Sequence, residues 1–490
     1  MYVLGIDLGS SSVKAALLEI ASGRCVGSAT FPEVEMEIAA SQPGFAEQDS
    51  AVWYRCMVAA VRGAAEQAGA APDEIKAIGI AYQMHGLVCV DSKGEVLRPA
   101  IIWCDSRGVP YGDRAMEEIG RDRCLAHLLN SPGNFTASKL AWVKENEPEI
   151  FRRIHKIMLP GDWLAYALTG RICTTPSGLS EGIFWDYHDE APCGFLLEQF
   201  GFDPDLLAER VPTFSVQGEL TRAAAAELGL AVGIPVAYRA GDQPNNALSL
   251  NVLNPGEVAA TAGTSGVVYG ISDQKQFDPE SRVNTFLHVN HTAETPRLGV
   301  LLCINGTGSM NAWARRLLGQ LTYDEMNQLA GGIPTGSDGL MVLPFGNGAE
   351  RMLGNRIVGA GLTGLDLNRH GRAHVCRAVQ EGVVFSFHYG LQIMAQVGMT
   401  PRTIRAGSAN MFLSDVFCET LAGLSGATIE LYDTDGALGA ARGAGVGAGI
   451  FRSEEDALAS LRRRKVVEPK AGDYQQAYYG WRAVLDRNLE

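Results

Sequence analysis

Apolar residues in this chain fall either in short unbroken runs set off by small polar residues or in longer stretches with helical spacing. The opening run YVLGIDL and the run VKAALLEI after it are short and nearly continuous, which predicts two strands joined by the turn Gly9-Ser10-Ser11-Ser12. From about residue 50 the pattern changes. SAVWYRCMVAAVRGAAEQAG follows an acidic start with a Ser/Asp cap and sets apolar residues at helical spacing, so a helix is predicted. KAIGIAY and LVCVD return to strand character on either side of the loop Gln83-Met84-His85-Gly86, and VLRPAIIW predicts a strand ending at Trp103.

The second half repeats this design. VAATAGTSGVVYGIS reads as strand, turn Gly263-Thr264-Ser265-Gly266, strand. Further on, HVCRAVQEGVVFSFHYGLQIMAQVG predicts a long helix, TIRA a strand, Gly407-Ser408-Ala409-Asn410 a loop, MFLSDVFCETLAG a helix, and ALGAARGAGVGAG a closely packed helix of small residues. The two glycine-rich turns lie about half a chain apart, the spacing expected when two similar domains each contribute one hairpin. Asn and Pro punctuate NVLNPGE, which sets the predicted boundary and divides the chain into domains 1–252 and 253–490 of an α/β protein.

Composition narrows the partners. The 490 residues carry a net charge of −14, which gives no electrostatic footprint for nucleic acid or anionic lipid and points to a small-molecule substrate. No run approaches the length of a membrane span, and no basic segment leads into an apolar core at the start. The ten cysteines are scattered without C-x-x-C pairs, as suits reduced thiols in a cytoplasm, and Cys303, Cys376 and Cys418 are expected in the core.

The chemistry-bearing residues gather at predicted strand ends, where open α/β sheets place their sites. The P-loop pattern, a G-x-G-x-x-G before a helix, and H-E-x-x-H are all absent. Gly178-Leu179-Ser180-Glu181-Gly182 has the spacing of a hydrolase elbow, but its surroundings read as loop. A turn of glycine and serine offers backbone amides and hydroxyls to a phosphate, or is an ordinary polar hairpin. Asp242 follows an apolar strand and precedes Pro244, so it caps a helix or, ionised beside the helix N-terminus, accepts a proton as general base. Asp7, the hard oxygen anion beside the first turn, is placed to orient Mg²⁺ or to form the turn. His85 and Met84 can present a ring nitrogen and an apolar surface to a sugar. Trp103 is either a cleft wall or core, and Asp105 either a sugar ligand or the partner of Arg107.

GIDLGSSSVK, QMHG, WCDSR, NFTASKLAWV, AGDQ, AGTSG and DGALGAARGAG, in this order from residue 3 to about 450, together resemble the FGGY family of carbohydrate kinases. The resemblance implies two ribonuclease-H-like domains of the actin/hexokinase-like ATPase superfamily facing an interdomain cleft. It also implies ATP and Mg²⁺ as cofactors and phosphorylation of the terminal hydroxyl of a ketose, D-xylulose before ribulose, sedoheptulose, glycerol or gluconate. By residue, it makes Asp242 the base. Gly9, Ser10, Ser11, Ser12 and Lys14 become the first phosphate loop, and Gly263, Thr264 and Ser265 the second. Gly407, Ser408, Ala409 and Asn410 form the adenosine loop, and Met84, His85, Trp103, Asp105 and Gln243 line the sugar. Members are often dimers, so a homodimer is the assembly to expect. Three departures fall near the sugar: Gln243-Pro244 after the base, Cys104 where Asn is usual, and Gly348-Ala349-Glu350-Arg351-Met352 without the family's Thr-Pro. An actin-like assembly ATPase would share the hairpins without needing a sugar wall, and a degenerate sugar sensor would not need Asp242.

Overall fold

The computed structural model describes residues 1–490, which pack as two units. The first comprises residues 1–251, 286–297 and 434–461, and the second residues 252–285, 298–433 and 462–490. A single cut after residue 252 assigns segments 286–297 and 434–461 to the second half, whereas they pack in the first unit.

In the first unit Tyr2–Leu8, Val13–Glu19 and Cys25–Phe31 form an antiparallel meander. Ile75–Tyr82 then pairs parallel to the first strand and Pro235–Gly241 parallel to Ile75–Tyr82, and Phe214–Glu219 closes the edge of six. The central strands are buried on both faces, which is why their sequences run apolar without alternation. Helix Ser50–Ala68, capped by Asp49, covers one face. The other face takes the small-residue helix Gly436–Gly447. A Cβ at Gly5 would meet the Ala437 carbonyl at 1.7 Å, and one at Gly79 the Ala440 carbonyl at 2.0 Å. Glycine on the strands and alanine on the helix are therefore two halves of one close approach.

The second unit repeats the pattern. Glu257–Ala262, Gly266–Ser272 and Leu298–Ile304 form the meander, and Thr403–Gly407 and Thr428–Tyr432 add in parallel. Helix Arg372–Gln396, buried along most of its length, fills the core. No helix is long and apolar enough to cross a membrane.

Four local expectations change. VLRPAIIW is not one strand: Val96 bridges Val90, Ala100–Ile101 pairs with Glu47–Gln48, and Pro99 between them has no N–H to join the two. The helix expected from Met411 begins at Asp415, because the Ser414 hydroxyl caps the Phe417 amide; Asn410–Leu413 is a 3₁₀ turn. The GLSEG stretch is no loop but the end of helix Pro176–Glu181, with Ser180 Oγ donating to the Ser177 carbonyl at 2.7 Å. Cys376 and Cys418 are buried, whereas Cys303 is exposed.

Candidate active site

The first hairpin closes through the Gly9 N–H, which donates to the Ser12 carbonyl at 3.0 Å. Gln48 Nε2 donates to the Ser10 carbonyl at 2.7 Å and steadies the turn, leaving Ser11 exposed and Ser10 and Ser12 half-buried. Asp7 stands opposite Lys14 across the meander. Lys14, expected on a phosphate, is ion-paired to Asp435 at 2.6 Å, and Asp435 also caps helix Gly436–Gly447. Burial, then the Asp435 charge, push the Asp7 carboxyl up to about 6 against the pull of Lys14.

Asp242 enters the same end of the same sheet. Gly241 pairs with Tyr82 and Asp7 with Ala81, so both acids emerge at the strand ends on either side of Ile75–Tyr82. The helix N-terminus was expected to keep Asp242 ionised. Instead, burial and the Asp7 charge push it up to about 7, against hydrogen bonds from the Gln243 backbone and side chain. Gln243, expected on the sugar, is near enough to Asp242 for its side chain to lower that carboxyl. A carboxyl group poised near neutral pH can both take up and release a proton there.

Beside Asp242 stand Met84 and His85. Met84 is buried against Gly241, where a Cβ would lie 2.6 Å from Met84 Cγ and 2.4 Å from Glu181 Oε2. His85 adopts a left-handed backbone (φ 60°), with Nδ1 2.8 Å from the Glu181 carbonyl and its ring edge-on to Phe135 at 4.8 Å. Trp103 is 51% exposed and directs its indole N–H toward Ser10 Oγ at 3.4 Å, so it is not core.

Asp105 does not join them. It is fully buried, its oxygens take Arg107 Nε and Nη2 together with the Ala46 amide, and Arg107 is itself held by Glu47. An acid whose oxygens are spent in this way is a folding anchor, not a sugar ligand.

Sequence reasoning missed Glu181, Phe135 and Phe286. Glu181 is buried beside Asp242, and burial holds its carboxyl well above the usual range. Its position after a Thr-Pro helix start was the available signal. The aromatic residues, 4.8 and 5.2 Å from the His85 ring, lie far from it in sequence and gave none.

The second unit's hairpin rests on a helix N-terminus. Gly308 N–H donates to the Gly263 carbonyl at 2.8 Å and Ser309 N–H to that of Thr264 at 3.1 Å. A Cβ at Gly308 would meet the Gly263 oxygen at 2.2 Å, so only glycine allows this stacking. Together Gly263, Thr264, Gly308, Ser309 and Asn410 help line a cavity of about 550 Å³, ample for a nucleotide. Ser265, Gly407, Ser408 and Ala409 do not line it; the Ser408 amide is taken by the Tyr432 carbonyl and that of Ala409 by Gly407. Missed in sequence were the carboxamides behind the cavity, where Ser414 Oγ donates to Gln380 and Gln380 to Asn327 at 2.6 and 2.8 Å. The strand–glycine–helix order of LLCINGTGSMNAW, the same order read at residue 407, was the signal for Gly308.

No cluster of three His, Cys, Asp or Glu is gathered as a protein-only metal cage. Asp7 and Asp242, each pushed up by burial and by a neighbouring acid, fit instead a Mg²⁺ held by one or two carboxylates and otherwise by water and phosphate oxygens.

Known proteins align along the whole chain. The family model for the N-terminal domain of FGGY carbohydrate kinases matches residues 2–249, and that for the C-terminal domain residues 258–448. Xylulose kinase of Escherichia coli strain K12 is 30% identical over 94% of this chain and 92% of the relative. That of Bacillus subtilis strain 168 is 28% identical over 97% and 94%. The crystal structure of xylulose kinase from Rhodospirillum rubrum superposes with a TM-score of 0.88 at 26% identity, covering 99% of both chains.

Proposed function

The chain belongs to the FGGY family of carbohydrate kinases, and from that premise we propose that it transfers the γ-phosphoryl group of ATP to the terminal hydroxyl of a ketose, D-xylulose, with Asp242 as general base. The observation that carries this reading is Asp242 at a strand end, pushed to about 7, next to Met84 and to Glu181, whose carbonyl holds the His85 ring. The carboxylate takes the hydroxyl proton, the sugar oxygen forms a bond to the γ-phosphorus, and the bond to the ADP oxygen breaks. His85 orients hydroxyls, Met84 and Trp103 cover the apolar face of the sugar, and Asp105 keeps the Trp103 loop folded.

In such a loose transition state charge spreads over the phosphoryl oxygens, so catalysis rests on positioning and electrostatics. Gly263 and Thr264, braced from behind by the Gly308 and Ser309 amides, hold the phosphates, and Asn410 borders the nucleoside. Ser10, Ser11 and Ser12 offer hydroxyls to the transferred group, and Gly9 closes the turn that presents them. Mg²⁺ bound through Asp7 would neutralise charge between the phosphates. Ten free cysteines support a reducing cytoplasm as the setting.

Coupled ADP release from Mg-ATP tests the proposal against D-xylulose, L-xylulose, D- and L-ribulose, sedoheptulose, glycerol and gluconate. Turnover with D-xylulose at least tenfold above every other sugar is expected. A stronger response to another sugar overturns the substrate and turns attention to Gln243-Pro244, and no ADP with any sugar overturns the kinase reading.

A further inference from the structure

Helix Thr136–Asn146 carries a lysine on its buried face. Lys139 is fully buried, and its Nζ donates to the His85 carbonyl at 2.8 Å and to the Ile102 carbonyl at 3.0 Å. Those two carbonyls belong to separate loops. His85 lies in the first, and Ile102 immediately precedes Trp103 in the second.

An ammonium is an expensive group to bury, because it loses its hydration. Here burial pushes it down to about 7 against the attraction of Asp105. Asp105 cannot neutralise it as a dedicated partner, since its oxygens already serve Arg107 and the Ala46 amide. An apolar side chain of similar length would fill the space without that cost, so the cation is retained for what it donates to. One of the recipients is strained: His85 has φ 60°, a left-handed conformation that a non-glycine residue rarely adopts. Such a residue persists only where its surroundings over-determine it. At His85 the ring is held by the Glu181 carbonyl and the backbone by Lys139.

We infer that Lys139 is a positioning residue that ties the His85 loop to the Trp103 loop, so that both present their side chains as one sugar-selecting wall. This rests on the reading that His85 and Trp103 face the sugar. The lysine itself touches no substrate; it acts through two backbone carbonyls, and its effect falls on sugar recognition alone.

The test compares wild type with Lys139→Met, which keeps length and removes the donors, and Lys139→Gln, which keeps a shorter neutral donor. Two readouts are taken: steady-state constants for each substrate, and amide hydrogen exchange over residues 83–87 and 102–107. In Lys139→Met the KM for the sugar is expected to rise at least tenfold and discrimination among the sugar panel to narrow, with the KM for ATP within twofold. Exchange is expected to quicken in both loops and to stay unchanged at residues 263–266. Lys139→Gln is expected to fall between the two proteins, and it carries the test if Lys139→Met does not fold. An unchanged sugar KM, an equal rise in both KM values, or faster exchange in one loop only overturns the inference. If wild type phosphorylates no sugar, the kinase reading fails and exchange alone decides: faster in both loops supports the tie, unchanged exchange removes it.

Discussion

The two strand-end sites are built on the same topology from opposite materials. In the first unit the meander and its two parallel strands deliver carboxylates, Asp7 and Asp242, with Asp435 close enough to act on Asp7. In the second unit the corresponding strands deliver the turn residues Gly263 and Thr264, and helices bring neutral carboxamides, Asn327 and Gln380, to the same cavity. Burial and like charge push the first set up toward neutrality, where acids exchange protons and bind cations. A glycine turn among neutral polar groups accommodates an anion without titrating. Topology thus fixes where a site stands, and residue chemistry fixes what it can bind.

Breaking the first side of this comparison has the largest expected effect. Asp242→Asn is expected to lower kcat by on the order of 10³-fold, within the usual span for a positioned base, while calorimetric affinities for sugar and nucleotide stay within threefold. Retained turnover within tenfold of wild type would sink Asp242 as the base.

Asp105→Ala separates anchor from ligand. Removing one partner of a buried ion pair typically costs about 3–5 kcal/mol, so denaturant unfolding should show a loss of that order, and any rise in sugar KM should come only together with it. A large KM effect without lost stability would return Asp105 to the sugar site.

On the neutral side, Gly308→Ala forces a Cβ into the Gly263 carbonyl. The KM for ATP is expected to rise tenfold or more with the sugar KM unchanged, because the hairpin must leave the helix N-terminus. An equal shift in both constants would deny that the two sites are separable.

The smallest expected effects are those of pH, and they sharpen the contrast. The kcat/KM for sugar should rise with pH through about 6 to 7 as the Asp7–Asp242 pair ionises. Stability runs the other way. With the folded-state value raised above the unfolded one, the folded protein binds more protons between about pH 4 and 7, so stability falls as pH rises through that window. Asp242→Asn should therefore melt higher than wild type at pH 8 and lose that advantage near pH 4. A melting difference independent of pH would contradict the raised value.

Much of this was legible along the chain because it depends on neighbours in sequence. Apolar runs marked the central strands, glycine–serine turns marked both hairpins, and a strand running into Asp242 marked the acid at its end. What the tertiary structure decided depends on residues brought together from far apart. It set the proton affinity of Asp242 through burial and Asp7, closed Asp105 around Arg107 and Ala46, and turned Lys14 to Asp435. It also seated helix Gly436–Gly447 on the first unit's sheet and placed Lys139 under two loops. Local pattern encodes backbone preference and strand ends. Charge state and partner choice follow from desolvation and short-range contact, which exist only once the chain has packed.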